Sequence, residues 1–180
     1  MNYTLSQIAK VLNEKNVTWA VGGSYLLRQY NLCNVVRDLD IFVAEEDIHE
    51  ALKQLDMLGE GKKGTSKLPY GTEFFYNYVI ADTSIDVMAK FKVFHEEGEY
   101  EHPFSSQSVN AFICIEGERI PLMEVTDWYV LYQLIPRRDE KVKAIERYFH
   151  ETAPPNSVRL AQLSNAILPK KVKENIAGYL

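Results

Sequence analysis

Two aspartates at alternate positions of an apolar run indicate the chemistry that this chain could perform. Asp38 and Asp40 stand in the run DLDIFV, residues 38–43. Side chains alternate between the faces of a strand, so both carboxylates would project from one face. Such a pair is repulsive and poorly hydrated unless a cation lies between its members. Mg²⁺ prefers carboxylate oxygens and usually shares its shell with substrate phosphates, so the pattern predicts a divalent-metal site.

A glycine-rich turn before this strand predicts an anion site. Gly22, Gly23 and Ser24 follow the apolar segment 18–21 and lead into a helical stretch that continues to about Tyr30. A turn of this kind directs backbone N–H groups at a helix N-terminus toward an anion. Combined with the aspartate pair, it predicts a metal-assisted nucleotide site.

A third carboxylate and a lysine are predicted on a later strand. Asp86 lies between Ile85 and Val87, which should face the other way, so Asp86 would share the open face of the aspartate pair. There it could complete a second metal site or accept the proton of an attacking hydroxyl. The alternative for Asp86 is an exposed hairpin residue. Lys90, four residues later on the same predicted face, is expected to neutralise phosphate.

The ordered set of motifs resembles the nucleotidyltransferase superfamily of the DNA polymerase β type. Gly23 and Ser24 match its glycine turn, Asp38 and Asp40 its Asp-x-Asp strand, and Asp86 its third carboxylate. The chain is similar to the small single-domain members, which include lincosamide and aminoglycoside nucleotidyltransferases. It is also similar to abortive-infection nucleotidyltransferase toxins, some of which modify tRNA.

The resemblance implies an α+β fold in which helices flank a mixed β-sheet of the nucleotidyltransferase type. Residues 1–124 would form the catalytic core, and residues 125–180 a C-terminal helical segment packed on it. The residues that would act as catalytic groups and metal ligands are Asp38, Asp40 and Asp86, and those that would bind nucleotide are Gly22, Gly23, Ser24 and Lys90.

The implied reaction moves an NMP from an NTP, ATP above all, to a hydroxyl of a small molecule or of RNA such as tRNA, and releases pyrophosphate. Mg²⁺ would be the cofactor, in a site that could hold two metal ions. The alternative is a non-catalytic nucleotide-binding module, or one half of a toxin–antitoxin pair, with the same fold.

The composition is consistent with a small nucleotidyltransferase and limits the kinds of partner that the chain could bind. A chain of 180 residues with 46% hydrophobic residues can bury a single core. Its 25 acidic and 20 basic residues give a net charge of −5, which argues against a surface that coats DNA or RNA in general but allows a local basic patch that docks RNA. Cys33 and Cys114 lack metal-ligand spacing and predict no disulfide framework. Without a signal-like or membrane-length apolar run, we expect a cytoplasmic protein.

Helices and strands alternate along the sequence. Thr4 is predicted to cap the first helix, whose buried stripe is Leu5, Ile8, Ala9 and Leu12. The further elements predicted are a helix opening at 45–47 and closed by Gly59, strand hairpins over 72–80 with 84–94 and over 111–115 with 119–123, and helices over 126–135, 139–149, from 156 and after Pro169.

A glycine-rich basic segment, residues 59–71, is predicted to be a mobile loop. Its lysines, Lys62, Lys63 and Lys67, either grip phosphate from a lid or are simply solvated, and the second interpretation is favoured. The acidic segment 96–101 is predicted to be a loop too. It is either solvated or a wall that attracts a polycationic acceptor such as an aminoglycoside.

A second basic group precedes and opens a predicted helix near the C-terminal segment. Arg137, Arg138 and Lys141 could approach a triphosphate from behind the site. The alternative is an ordinary solvated helix start, and the sequence does not separate the two.

Overall fold

A seven-stranded mixed sheet forms the frame of the molecule in a computed structural model that describes residues 1–180. The strands are β1 Trp19–Val21, β2 Asp38–Val43, β3 Lys62–Lys63, β4 Phe74–Ile80, β5 Thr83–Ala89, β6 Lys92–His95, β7 Gly98–Glu101, β8 Val109–Ile115 and β9 Glu118–Met123. The helices are α1 Asn2–Glu14, α2 Gly23–Gln29, α3 Ile48–Leu55, α4 Val125–Leu134, α5 Asp139–Glu151, α6 Ser157–Ser164 and α7 Lys170–Ala177. The predicted α+β class with a mixed sheet is confirmed.

Both kinds of strand pairing meet at the centre of this sheet, whose order is β3-β4-β5-β2-β1-β9-β8. Strand β2 pairs parallel with β5 and antiparallel with β1, while β4 and β5 form an antiparallel hairpin. The parallel register places Asp40 opposite Asp86. Strands β6 and β7 form a separate two-stranded hairpin.

One apolar cluster of buried residues joins the sheet to helices at both ends of the chain. The predicted stripe of α1, formed by Leu5, Ile8, Ala9 and Leu12, has no exposed surface, which confirms it. Helix α4 is buried on nearly every side, as expected for a helix that is mainly apolar, and its buried residues include the charged Asp127. The C-terminal helices thus share the core of the sheet, and the division at residue 124 stays a prediction.

The helix start predicted at Thr4 is wrong. Helix α1 begins at Asn2, and no side chain caps it. Thr4 lies inside the first turn, where its buried hydroxyl forms a 3.0 Å hydrogen bond with that of Thr83. The polar residue that resembles a cap instead ties the helix to the sheet.

Each of the two charged segments contains a strand that the sequence did not predict. Within 59–71, Lys62 and Lys63 form the edge strand β3. The strand predicted over 84–94 ends at Ala89 instead, and residues 92–95 turn away to pair with 98–101 as β6 and β7. The acidic segment is therefore largely a hairpin strand, because its alternating pattern buries Tyr100.

None of the helices combines the length and the apolar character needed to cross a membrane.

Candidate active site

Three carboxylates meet on the open face of adjacent strands, as the sequence predicts. Asp38 and Asp40 stand two residues apart on β2, and Asp86 stands on β5 directly opposite Asp40. All three are half-buried, while Leu39, Ile41, Ile85 and Val87 on the opposite face are fully buried. The strand period and the parallel register are sufficient to assemble the group.

Asp40 and Asp86 are electrostatically strained in the absence of a cation. Burial raises the pKa of Asp40 to about 7, and the nearby charges of Asp38 and Asp86 add to the shift. Lys141 and Arg138 oppose it only in part. Burial also raises the pKa of Asp86, against a hydrogen bond from Asn77 Nδ2 to Asp86 Oδ1 of 2.6 Å. A bound cation would favour the ionised forms of both groups.

The glycine turn is built against the central aspartate. Gly23 has a φ of +59°, and a Cβ there would overlap the Asp40 carboxylate. A side chain at Gly22 would overlap the indole ring of Trp128, while the Gly22 N–H donates to the Asp40 carbonyl at 2.9 Å. Both positions require glycine, because the turn lies directly between β2 and α4.

A lysine from the C-terminal helices reaches this turn from 117 residues away in sequence. Lys141 Nζ donates to Ser24 Oγ at 2.7 Å and to the Tyr132 hydroxyl at 3.2 Å. Burial and the neighbouring Arg138 charge lower the pKa of Lys141. The ammonium is thus held beside the glycine turn and within the field of the aspartates.

A cavity of about 330 Å³ lies over these groups. Its charged lining consists of the three aspartates together with Lys67, Arg138 and Lys141. Five aromatic rings contribute apolar wall, and four hydroxyl side chains contribute polar wall. The remaining lining residues are Ser24, Thr65, Ser66, Tyr70, Thr72, Phe75, Met88, Phe91, Trp128, Tyr132 and Ile135.

Lys90 does not reach this cavity. It follows the last residue of β5 with a φ of +51°, so it leaves the strand face that the prediction gave it. Its Nζ instead lies 2.7 Å from Glu73 and 3.4 Å from Glu45, in an external ion-pair cluster. The contacts of Lys90 therefore argue against the nucleotide contact predicted for it.

Of the other basic residues predicted to bind phosphate, some line the cavity and some lie outside it. Arg138 and Lys141 line the cavity, and Arg137 does not. Of the segment 59–71, Lys67 lines the cavity while Lys62 and Lys63 lie on β3 outside it.

The acidic wall predicted at 96–101 is not part of the cavity. Glu99 and Glu101 pair with Lys92 at 2.9 and 3.4 Å, and Glu97 accepts a hydrogen bond from the Lys170 backbone N–H. These carboxylates serve the β6–β7 hairpin and the start of α7.

Sequence reasoning missed three residues of the site. Asn77 holds Asp86, Trp128 packs against Gly22, and Tyr132 holds Lys141. Asn77 is opposite Asp86 in the β4–β5 register, which a hairpin alignment could have found. The other two come from α4, whose nearly uniform apolar pattern singles out neither.

The donor set fits a magnesium ion that is shared with a ligand. No three His, Cys, Asp or Glu side chains converge closely enough to hold a metal by themselves. Asn77 holds one oxygen of Asp86 at 2.6 Å, leaving Asp38 and Asp40 as the pair on β2. Mg²⁺ is commonly bound by one or two carboxylates with phosphate oxygens and water, which is the shell these residues could begin.

The topology of the chain is that of the nucleotidyltransferase fold. A protein from Thermotoga maritima proposed to be a nucleotidyltransferase superposes with a TM-score of 0.62 at 22% identity, over 83% of this chain and 92% of that chain. ANT(2″)-Ia, in a complex with adenylyl-2″-tobramycin, gives 0.54 at 20% identity, over 99% and 95%. The lincosamide antibiotic adenylyltransferase LnuA, bound to lincomycin, gives 0.50 at 15% identity, over 81% and 96%.

These likenesses establish the fold of this chain and confirm the predicted resemblance at that level. No protein-family model and no curated protein matches the sequence.

Proposed function

We propose that this protein is a Mg²⁺-dependent nucleotidyltransferase that moves an NMP from an NTP to an acceptor hydroxyl and releases pyrophosphate. The observation that carries the proposal is the cavity in which Asp38, Asp40 and Asp86 face three basic side chains and a glycine turn. Its fold is shared with solved proteins described as nucleotidyltransferases or adenylyltransferases.

The triphosphate would lie between the glycine turn and the start of α5. Gly22, Gly23 and Ser24 present the backbone and a hydroxyl there, and Lys141 is already bound to Ser24 Oγ at 2.7 Å. Arg138 lines the same cavity, so two cations can neutralise the charge that develops on the leaving pyrophosphate. We propose this pair for the role that the sequence assigned to Lys90.

Asp38 and Asp40 would hold Mg²⁺, with Asp86 as a further ligand or as the proton acceptor. When bound, the ion would withdraw charge from phosphate oxygens and stabilise an in-line displacement. The pKa of about 7 for Asp40 without a cation means that metal binding and loss of a proton are coupled at this site.

The reaction itself needs positioning and one proton acceptor. The acceptor oxygen forms a bond to the α-phosphorus while the bond from that phosphorus to pyrophosphate breaks. Asp86, whose pKa is raised by burial, would take the hydroxyl proton, and Asn77 holds the carboxylate that does so. The aromatic lining would exclude water from the reacting atoms.

A transfer assay tests the proposal. Purified protein would receive α-labelled ATP, then the other NTPs, with Mg²⁺ and a panel of aminoglycosides, a lincosamide and total tRNA. We expect label on an acceptor, lost in an Asp38→Asn/Asp40→Asn double variant that still folds. Binding of NTP·Mg²⁺ by calorimetry without any turnover would support the non-catalytic module, and no NTP binding would contradict both.

A further inference from the structure

One polar row crosses four strands of the sheet and continues beyond the three aspartates. The register places Asp40 opposite Asp86, Asp86 opposite Asn77, and Asn77 opposite Lys62. Residues directly opposite each other on paired strands share a face, so all four side chains lie on the open face. The row therefore leads from the carboxylates outward across β4 to the sheet edge at β3.

The outer half of this row has a cavity of its own. A depression of about 310 Å³ is lined by Glu60, Lys62, Asn77, Tyr78 and Val79. Val79, next to the last residue of β4, has 65% of its surface exposed, and no ion pair involves Lys62. Asn77 borders both this depression and the carboxylate site, through its hydrogen bond to Asp86.

The order of residues along the row indicates that the acceptor, and not the NTP, lies at its Lys62 end. The glycine turn and Lys141 lie on the Asp40 side, where the proposed function places the triphosphate. In phosphoryl transfer the attacking and leaving oxygens are roughly in line across the phosphorus. The acceptor must therefore approach from the opposite side, over Asp86, Asn77 and Lys62.

The charges along this approach disfavour a polycation. Apart from the three aspartates, the charged lining of the main cavity is Lys67, Arg138 and Lys141. The outer depression adds Lys62 and a single carboxylate, Glu60. A polycationic acceptor would meet no set of spare carboxylates here, and opposite charges are what select a charged ligand.

We propose that the open face of β3 and β4, defined by Lys62, Asn77 and Val79, is the acceptor subsite, and that it takes a hydroxyl compound carrying a phosphate group. This inference rests on the proposed function and adds the class of acceptor to it. Neighbouring strands lie about 4.8 Å apart, and Lys62 on β3 is two strands away from Asp86 on β5. Lys62 is therefore about 10 Å from the reacting hydroxyl at Asp86. Asn77 is a positioning residue that orients Asp86, and Lys62 is a specificity residue that binds the phosphate.

Acceptor competition with two lysine variants tests this assignment. The donor is labelled ATP with Mg²⁺, and the acceptors are adenosine 5′-monophosphate, total tRNA, uncharged adenosine and polycationic tobramycin. We expect label on a phosphate-bearing acceptor in preference to adenosine and tobramycin. The first two acceptors distinguish a small phosphate monoester from an RNA as the source of the phosphate.

The variants separate a specific contact from a general field. Lys62→Glu should raise the KM of the phosphate-bearing acceptor about 10-fold, with kcat and the KM of ATP unchanged and an effect that shrinks in high salt. Lys63→Glu makes the same charge reversal at the next residue, which faces away from the row, and should change that KM less than about twofold.

Each other result overturns the inference in a recognisable way. Equal effects of Lys62→Glu and Lys63→Glu, or preferential transfer to tobramycin, would contradict the subsite while leaving the nucleotidyltransferase assignment intact. Absence of transfer to all four acceptors, with ATP still bound, would contradict the proposed function and this inference with it.

Discussion

Two groups of carboxylates in this protein are withdrawn from water, and they have opposite electrostatic states. In the cavity, burial raises the pKa of Asp40 to about 7, and the charges of Asp38 and Asp86 add to that shift. In α4, burial acts in the same direction on Asp127, but His102 and Arg159 outweigh it and the pKa of Asp127 is lowered. The ionised carboxylate is thus disfavoured at Asp40 and favoured at Asp127.

The geometry explains the contrast. Arg159 on α6 donates to both oxygens of Asp127, at 2.7 and 2.9 Å, and also to Ser108 Oγ at 2.8 Å. His102 Nε2 lies 3.2 Å from Asp127 Oδ2, although it is not aligned for a hydrogen bond. Asp127 has no exposed surface, so this cluster joins α4, α6 and the segment after β7 inside the protein.

The difference separates a carboxylate that is paired within the protein from a group of carboxylates that is open to a ligand. Asp127 has its cation within the chain and gains nothing from a ligand. Asp38, Asp40 and Asp86 lack a comparable partner, and their open face borders a cavity. Carboxylates whose pKa values are raised in a cleft are where a metal or a proton-transfer step is expected.

The largest expected effect is on activity. Asp38→Asn or Asp40→Asn removes one of the two proposed metal ligands and should lower the transfer rate at least about 10³-fold. The measurement is label transfer under saturating NTP and Mg²⁺, with circular dichroism to confirm folding. If either variant keeps more than a tenth of the wild-type rate, the aspartate pair is not the metal site.

An Asp→Asn substitution at Asp127, in the cluster with His102 and Arg159, should lower the stability of the protein. Asp127→Asn leaves Arg159 buried without its counter-charge and should lower the free energy of unfolding by about 3–5 kcal/mol. Denaturant unfolding at pH 7 measures this. Asp127→Leu with Arg159→Met removes both charges and should be less damaging than Asp127→Asn alone. A single variant as stable as wild type would contradict the structural role.

A smaller effect of opposite sign is expected for Asp40 in metal-free protein. Its folded pKa lies above the ordinary value of 3.8, so its contribution to stability is full below about pH 3.8 and is lost as the pH rises to about 7. Asp40→Asn should therefore stabilise the protein at pH 8, by up to about 4 kcal/mol, and by less at pH 5. Thermal unfolding with EDTA at both pH values measures the difference.

Magnesium supplies the matched control for that prediction. Adding Mg²⁺ at pH 8 should raise the Tm of wild type and leave that of Asp40→Asn unchanged, because ligand binding to the folded state adds to its stability. A wild type that is as stable at pH 8 as at pH 5 without metal would show that the carboxylates are not strained.

The smallest effect concerns the two lysines that compete for the phosphate role. Lys141→Gln should raise the KM for the NTP about 10-fold, because it removes the ammonium beside Ser24 from the cavity. Lys90→Ala should leave that KM unchanged, since Lys90 pairs with Glu73 and Glu45 outside the cavity. Steady-state kinetics over a range of NTP concentrations separate the two. A larger effect at Lys90 would restore the role predicted from sequence.

The sequence was sufficient to predict the features of the site that depend on short-range rules. The period of a strand put Asp38 and Asp40 on one face, and the conformational freedom of glycine marked Gly23, which has a φ of +59°. Asp86 followed from the same strand period and from its apolar neighbours. These features need only a few neighbouring residues, so their spacing in sequence carries the information.

The wrong predictions also share a physical cause, because each one extended a local sequence pattern that the fold does not follow. Lys90 was placed by extending a strand that ends one residue earlier, and Thr4 by a local capping pattern that a contact with Thr83 replaces. The acidic segment was predicted to be a solvated loop because most of its residues are charged, although it contains Tyr100, which is buried in strand β7.

The sequence by itself therefore determined the carboxylates, the glycine turn and the kind of chemistry they suggest. Only the tertiary structure decided which charges surround them. Lys141 meets Ser24 across 117 residues, and Arg159 meets Asp127 across 32. Whether a buried carboxylate receives a partner depends on how α5 and α6 pack against α4, and no local pattern records that packing. The packing left the aspartates of β2 and β5 without such a partner and satisfied the one in α4.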